Sequence, residues 1–166
     1  MGLSRVARRC AKIGMAVAAA ALLHIETSCA DPLVAPTLPG RWYTQRQVDQ
    51  GRDVYRNNCG ACHGERAQGA LNWEQPGDLG FYPPPPLDGS GHSAHHPLKD
   101  MVQTVRMGGT PLGGIMPAFS DVLRDPDILS VLAYLQSLWP DQAYGSWEEI
   151  NSGAASAPKS VASEAE

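Results

Sequence analysis

The string Cys-Gly-Ala-Cys-His at residues 59–63 constrains this chain more than any other feature. Two cysteines separated by two residues and followed at once by a histidine form the attachment signature of a c-type haem. The thiols of Cys59 and Cys62 would bond to the haem as thioethers, and His63 would bind the iron as the proximal axial ligand. A thiol redox pair or half of a zinc site can have the same spacing. Since no second cysteine pair lies outside the N-terminal segment and no βαβ pattern surrounds the motif, we predict one covalent haem c.

The first 30 residues predict export from the cytoplasm. Four basic residues between positions 5 and 12 precede a run of Ala, Val and Leu, and the small residues Ser28 and Ala30 suit a signal peptidase. The apolar run is shorter than the roughly 20 residues that span a bilayer. We therefore expect residues 1–30 to be a cleaved signal peptide, and the mature protein to be periplasmic with no stable membrane anchor.

Two other interpretations of this segment stay open. The pair Arg8-Arg9 is compatible with twin-arginine export, although its flanking residues fit that signal poorly. Cys29 is compatible with a lipidated N-terminus, although Glu26 occupies the position where a lipobox has Leu. Cleavage after residue 30 removes Cys10 and Cys29 and leaves only the two motif cysteines. In an oxidising compartment an unoccupied pair would be liable to oxidise, which again favours haem.

Charge and length limit the classes of partner and the number of domains. The full chain has a net charge of −4, and loss of residues 1–30, which carry four basic side chains and one acidic one, leaves about −7. Such an acidic protein is not expected to bind nucleic acid, and it suits a redox partner with a basic docking patch, such as a membrane oxidoreductase or oxidase. We divide the remainder into a Pro-rich linker (31–40), one folded domain (41–150) and a disordered tail (151–166).

Apolar periodicity predicts helices in the folded part, and no strand pattern is visible. The first predicted helix runs from the capping box at Thr44 to the haem motif, and the second from about Pro97 to Gly108. The third runs from Asp125 to Pro140, with Asp125 as its cap and Pro126 in its first position. Between the first two lies a run of four prolines, residues 83–86, which must be extended and cannot donate backbone hydrogen bonds.

The loop at residues 114–119 carries the second candidate ligand, Met116. A thioether is a soft sixth ligand for haem iron, and it raises the reduction potential relative to a second histidine. Met116 lies in a glycine-containing loop that Pro117 stiffens, just before the last predicted helix. Met101 and Met107 compete, but they lie in or at the end of a predicted helix. Most methionines are core residues, and we select Met116 as ligand because the haem motif is already present.

Together these features resemble the class I monohaem cytochromes c of the bacterial periplasm. The resemblance rests on the Cys59–His63 motif after a helix, on Met116 to Phe119, and on Val131 to Leu135 in the last helix, and it covers about residues 44–139. It implies an all-α cytochrome c fold in which the N- and C-terminal helices cross beside the haem, joined by long irregular loops. It also implies electron transfer at an exposed haem edge, without a bound substrate and therefore without enzymatic activity.

The resemblance also assigns packing and positioning roles. Gly51 would allow the close helix crossing, and Tyr55 and Tyr134 would pack beside it. A proline carbonyl would accept a hydrogen bond from the proximal histidine, and both Pro76 and the prolines at 83–86 are candidates for that role.

A segment at about residues 70–97 has the character of an insertion. It carries His92, His95 and His96, a spacing compatible with copper or zinc binding and thus with a metal-handling partner. A haem enzyme or gas-binding sensor with a labile sixth ligand is the other alternative function.

Overall fold

The computed structural model describes residues 35–153. Within that range the chain forms five α-helices and no β-strand: α1 (Gln45–Asn58), α2 (Gly60–His63), α3 (Leu98–Met107), α4 (Asp125–Ser137) and α5 (Asp141–Asn151). Two short 3₁₀ helices, His92–His95 and Thr110–Leu112, lie in the connecting loops. The predicted signal peptide, the start of the linker and the tail from residue 154 lie outside the described residues.

The first helix begins as its capping box predicts. The Thr44 hydroxyl accepts a hydrogen bond from the Gln47 backbone N–H at 3.2 Å, and the Gln47 side-chain oxygen accepts one from the Thr44 N–H at 2.9 Å. Two N–H groups that would otherwise lack a partner are thereby satisfied. The helix ends at Asn58, so that the haem motif follows on the next turn.

The crossing of α1 over α4 organises the core. A Cβ atom on Gly51 would lie 1.8 Å from the Ser130 carbonyl oxygen, so only glycine permits this approach. Beside the crossing, the rings of Tyr55 and Tyr134 are 5.4 Å apart and tilted by 51°. The roles expected of these residues are therefore observed, and the predicted all-α cytochrome c fold is confirmed.

The other predicted helix boundaries hold to within a few residues, with one change of cap. Leu98 begins α3 directly after Pro97, and Gly108 ends it with a φ of +78°. We predicted Asp125 as the cap of α4, but Arg124 takes that place and Asp125 is the first helical residue. The reason is that the Asp127 carboxylate accepts the Arg124 backbone N–H from inside the first turn.

Helix α5 was not predicted from the sequence. We took Pro140 as the end of the last helix, but α4 ends at Ser137 and Pro140 precedes a further helix. Only Tyr144 and Trp147 of α5 are buried, and Gly145 lowers its helix propensity. Its stability comes from packing, because Tyr144 meets Tyr43 edge-to-face at 6.4 Å. No helix in residues 35–153 is long and apolar enough to cross a membrane.

The Gly51 contact predicts a large loss of stability on a minimal substitution. Gly51→Ala forces the α1 and α4 backbones apart, and we expect the free energy of unfolding to fall by about 1–3 kcal/mol. Gly145→Ala is the matched control, because it lies in a helix and nothing lies within 4 Å of its added methyl group. The free energy of unfolding of that variant should rise by up to about 1 kcal/mol. Urea unfolding followed by circular dichroism measures both, and a Gly51→Ala protein as stable as wild type would contradict the crossing.

Candidate haem site

The Cys-x-x-Cys-His motif forms a single helical turn at the end of α1. The Cys59 N–H donates to the Tyr55 carbonyl at 2.8 Å, and the His63 N–H donates to the Cys59 carbonyl at 2.9 Å. Cys59 is half-buried and Cys62 is exposed. His63 is only 6% exposed. Two thiols and one imidazole are thus presented by five consecutive residues whose backbone is fixed by helical hydrogen bonds.

The environment of Cys59 does not suit thiol redox chemistry. Burial, and secondarily the neighbouring Cys62, raises the pKa of the Cys59 thiol to about 11. A redox-active Cys-x-x-Cys pair requires a lowered thiol pKa, because the thiolate is the nucleophile. A zinc site is not supported either, since no group of three or more His, Cys, Asp or Glu side chains in residues 35–153 is placed to bind a metal ion.

The backbone of the proline run fixes the orientation of His63. The Nδ1 atom of His63 lies 2.9 Å from the Pro85 carbonyl oxygen. A carbonyl only accepts, so Nδ1 carries the proton and donates it, which leaves Nε2 with its lone pair. Burial lowers the pKa of His63, and the Pro85 hydrogen bond partly opposes that shift. The ring is therefore a neutral imidazole with one fixed tautomer, the form that binds metals.

The proline candidates left open by the sequence are resolved in favour of Pro85, and its neighbours are held in the same way. The Ala70 N–H donates to the Pro84 carbonyl at 2.8 Å, and the Leu87 N–H donates to the Ala67 carbonyl at 2.7 Å. The Ser93 hydroxyl lies 3.3 Å from the Pro86 carbonyl. Prolines cannot donate, so the four prolines are held only through their carbonyl oxygens, whereas Leu87 directly after them donates its N–H.

A glycine permits the close approach of the loop after the motif to the proline run. Gly69 has a φ of +69°, and a Cβ there would lie 2.4 Å from the Pro86 nitrogen and 2.5 Å from the Pro85 carbonyl carbon. The Gly69 N–H also donates to the His63 carbonyl at 2.8 Å. Gly69 thus contacts both partners of the His63–Pro85 hydrogen bond, a role that the sequence analysis missed.

Tyr55 has a second role that the sequence analysis missed. Its hydroxyl donates to the Gly64 carbonyl at 2.6 Å, directly after His63. Burial raises the pKa of Tyr55, so the hydroxyl keeps its proton. Tyr55 therefore packs in the helix crossing and also ties the end of the haem motif to α1.

The Met116 loop is held by backbone hydrogen bonds in which glycines take part. The Gly109 N–H donates to the Met116 carbonyl, and the Gly114 N–H donates to the Gly109 carbonyl, both at 3.0 Å. The Tyr82 N–H donates to the Gly113 carbonyl at 2.9 Å. Since Tyr82 directly precedes the proline run, one extended segment contacts both the His63 ring and the Met116 loop.

The three candidate methionines differ in their surroundings. Met101 is 9% exposed and belongs to the hydrophobic core, whereas Met107 is 59% exposed at the end of α3. Met116 is half-buried in its loop. Met101 is therefore used in packing, and Met116 stays the preferred candidate for the sixth ligand.

The side chains of the histidine loop do not converge on one point in the structure. His92 stacks on Trp73 with ring centroids 5.3 Å apart, and its ring meets His96 edge-on at 5.4 Å. Burial lowers the pKa of His92, and the charges of His96 and His95 lower it further. The loop is an aromatic stack rather than a convergent ligand set, since no such set exists in residues 35–153.

The region of the chain that forms this site matches a known protein family. The model of the family described as cytochrome c oxidase, cbb3-type, subunit III, matches residues 46–135. The chain belongs to this family. It is therefore a c-type cytochrome, a class of electron-transfer protein that carries covalently bound haem c. The match includes the Cys59–His63 motif, the proline run and Met116, and it ends inside α4.

Two curated relatives share part of the chain. A cbb3-type cytochrome c oxidase subunit CcoP from Azospirillum sp. (strain B510) is 36% identical over 102 residues, which is 61% of this chain and 32% of the relative. A protein of the same name from Azospirillum brasilense is 37% identical over 91 residues, 55% of this chain and 28% of the relative. The chain thus spans about a third of the length of these relatives. No solved structure gives a significant match.

The Gly69 contact predicts an effect on the haem site itself. Gly69→Ala puts a methyl group into the Pro85–Pro86 backbone, so we expect the fraction of polypeptide with covalent haem to fall. The free energy of unfolding should drop by about 1–3 kcal/mol more than in a control variant. Gly80→Ala is that control, because its φ of +77° imposes the same left-handed strain in open space. Haem absorbance per polypeptide and urea unfolding measure the two effects. Equal behaviour of the two variants would show that the contact is unimportant.

Proposed function

We propose that the protein is a periplasmic electron carrier with one haem c, attached to Cys59 and Cys62 and ligated by His63 and Met116. The observation that carries the proposal is the buried His63 imidazole, which directly follows the second of the two thiols in the chain. Its Nδ1 donates to the Pro85 carbonyl, and this keeps Nε2 free. When bound, the haem supplies an iron that gains and loses one electron. Carriage of electrons, rather than conversion of a bound substrate, is the activity that this arrangement supports.

Each residue of the site has a defined task in this proposal. The two cysteines hold the cofactor covalently, so that it stays with the protein in both oxidation states. Pro85 keeps the His63 ring in one tautomer and increases its basicity. The Met116 thioether stabilises the reduced state relative to an imidazole and so raises the reduction potential. The His63 ring and the loop that carries Met116 both hydrogen-bond to the segment from Tyr82 to Leu87, and this shared segment supports the pairing of the two residues as ligands of one haem.

The proposed partner is a membrane oxidase or oxidoreductase that presents a basic patch. The relatives are named as subunits of a cbb3-type oxidase, which supports an oxidase as the partner. Between Arg66 and Lys99 the chain has no basic Lys or Arg, and it carries the carboxylates of Glu74, Asp78 and Asp88. Glu74 and Asp78 are exposed on the segment that leads to Tyr82 and thus to the Met116 loop.

Variants at the sixth ligand separate this proposal from a gas-binding or enzymatic haem protein. Met116→Ala should remove the ferric absorption band of the methionine–iron bond and let carbon monoxide bind readily to the reduced protein. Met116→His should keep the sixth position filled and lower the reduction potential, because imidazole favours ferric iron more than a thioether does. Met107→Ala is the matched control, since Met107 is exposed at the end of α3.

The measurements are the ferric absorption spectrum, the reduction potential and the rate of carbon monoxide binding. Wild type and Met107→Ala should resist carbon monoxide and share one potential. If reduced wild type binds carbon monoxide quickly and completely, the sixth position is labile and the carrier proposal is wrong. Loss of the methionine band in Met107→Ala would instead assign the ligand to Met107.

The acidic segment predicts a salt-dependent reaction with a basic partner. Electron transfer to a membrane oxidase with a basic patch should slow as salt rises, since exposed charges are screened over about 8 Å at physiological ionic strength. The double variant Glu74→Gln, Asp78→Asn should be slower at low salt and less sensitive to salt. Glu148→Gln, Glu149→Gln removes two charges that are also exposed, on α5, and is the control. Stopped-flow rates at several salt concentrations test this, and a rate independent of salt in wild type would exclude electrostatic steering.

A further inference from the structure

An aromatic layer, formed by Trp42, Tyr43, Trp139, Tyr144 and Trp147, lies outside the part of the chain that the family model matches. The match covers residues 46–135, so two of these residues precede it and three follow it. They pack on one another, because the Tyr43 ring meets Tyr144 edge-to-face at 6.4 Å and the Trp139 ring meets Trp147 at 6.3 Å. The Trp42 indole N–H also donates to the Gln136 side-chain oxygen at 2.6 Å.

Trp139 connects this layer to the proline run. Trp139 is 4% exposed, and its indole N–H donates to the Leu87 carbonyl at 2.9 Å. Leu87 follows Pro85 by two residues, and its own N–H is bonded to Ala67 at 2.7 Å. Gly89, with a φ of +90°, lets the chain pass so close that a Cβ there would lie 3.0 Å from Trp139 Cγ. The end of the proline run is therefore held on both sides.

Residues of α5 hold the chain that follows the proline run at its other end, near His96 and Leu98. The Trp147 indole N–H donates to the His96 carbonyl at 3.0 Å. The Asn151 side-chain oxygen accepts the Leu98 N–H at 2.9 Å. The segment from Leu87 to Leu98 is thus anchored at both ends by residues from Trp139 onward, but only the Trp139 anchor lies next to Pro85.

We infer that Trp139 is a positioning residue for His63, acting through Leu87 and Pro85 to set the hydrogen bond at Nδ1. This inference rests on the proposed haem ligation by His63. The strength of that hydrogen bond decides how basic the imidazole is, and a more basic imidazole stabilises the ferric state. Removal of the Trp139 donor frees the Leu87 carbonyl, and the Pro85 carbonyl then holds Nδ1–H less firmly. The imidazole becomes less basic, and the reduction potential rises.

The test compares two tryptophan variants in the full-length holoprotein. Trp139→Phe should raise the reduction potential and, in the Met116→Ala background, lower the iron–histidine stretching frequency in the resonance Raman spectrum of the reduced protein. Trp147→Phe is the matched control, because it also removes one buried indole N–H to a backbone carbonyl, but at His96. Both variants should lower the urea midpoint, whereas only Trp139→Phe should shift the potential and the Raman band.

If Trp139→Phe does not fold, benzothienylalanine replaces Trp139 instead. This tryptophan isostere has sulfur in place of the N–H and keeps the ring shape. It should shift the potential and the Raman band in the same direction. An unchanged potential and band in folded Trp139 variants, or an equal shift in Trp147→Phe, would overturn the inference. Haem absorbance of wild type after denaturation is measured in parallel. Wild type without covalent haem would refute the proposed function, whereas covalent haem with no Trp139 effect would refute this inference alone.

Discussion

The hydrogen bond from His63 Nδ1 to the Pro85 carbonyl is the interaction on which the rest of the site depends. It joins the helical motif after α1 to an extended segment that has no donors of its own across four prolines. A buried imidazole without that acceptor would be free to rotate and to exchange tautomers. With it, the ring presents one nitrogen in one direction, which is what a permanent axial ligand requires.

The surrounding structure serves to keep these two partners in place. Tyr55 binds the Gly64 carbonyl behind the motif, while Gly69 fits against Pro85 and Pro86. On the other side, Tyr82 connects the same extended segment to the Met116 loop. The hydrogen-bond network therefore relates the two candidate ligands through backbone groups of one extended segment. This arrangement suits a carrier, in which the coordination has to survive repeated change of oxidation state.

Local sequence signals predicted the parts of the fold that depend on local chemistry. The Thr44 capping box was identified because its side-chain and backbone partners lie within four consecutive residues, whereas the role of Gly51 was implied by the resemblance to class I cytochromes c. The sequence could not single out Pro85 among the five candidate prolines, since any carbonyl in an extended run can accept a hydrogen bond. Only the tertiary structure brings one of these carbonyls to His63. Helix α5 was missed for a related reason. Its stability comes from Tyr144 and Trp147 packing on distant aromatic rings rather than from a continuous apolar face.

Covalent attachment at the motif is the central claim, and peptide mass mapping of the purified protein tests it most directly. The proteolytic peptide that contains Cys59, Cys62 and His63 should carry the added mass of one haem. Both thiols should resist alkylation after denaturation, and no other peptide should carry the group. A motif peptide of unmodified mass, with both cysteines alkylated, would contradict the account.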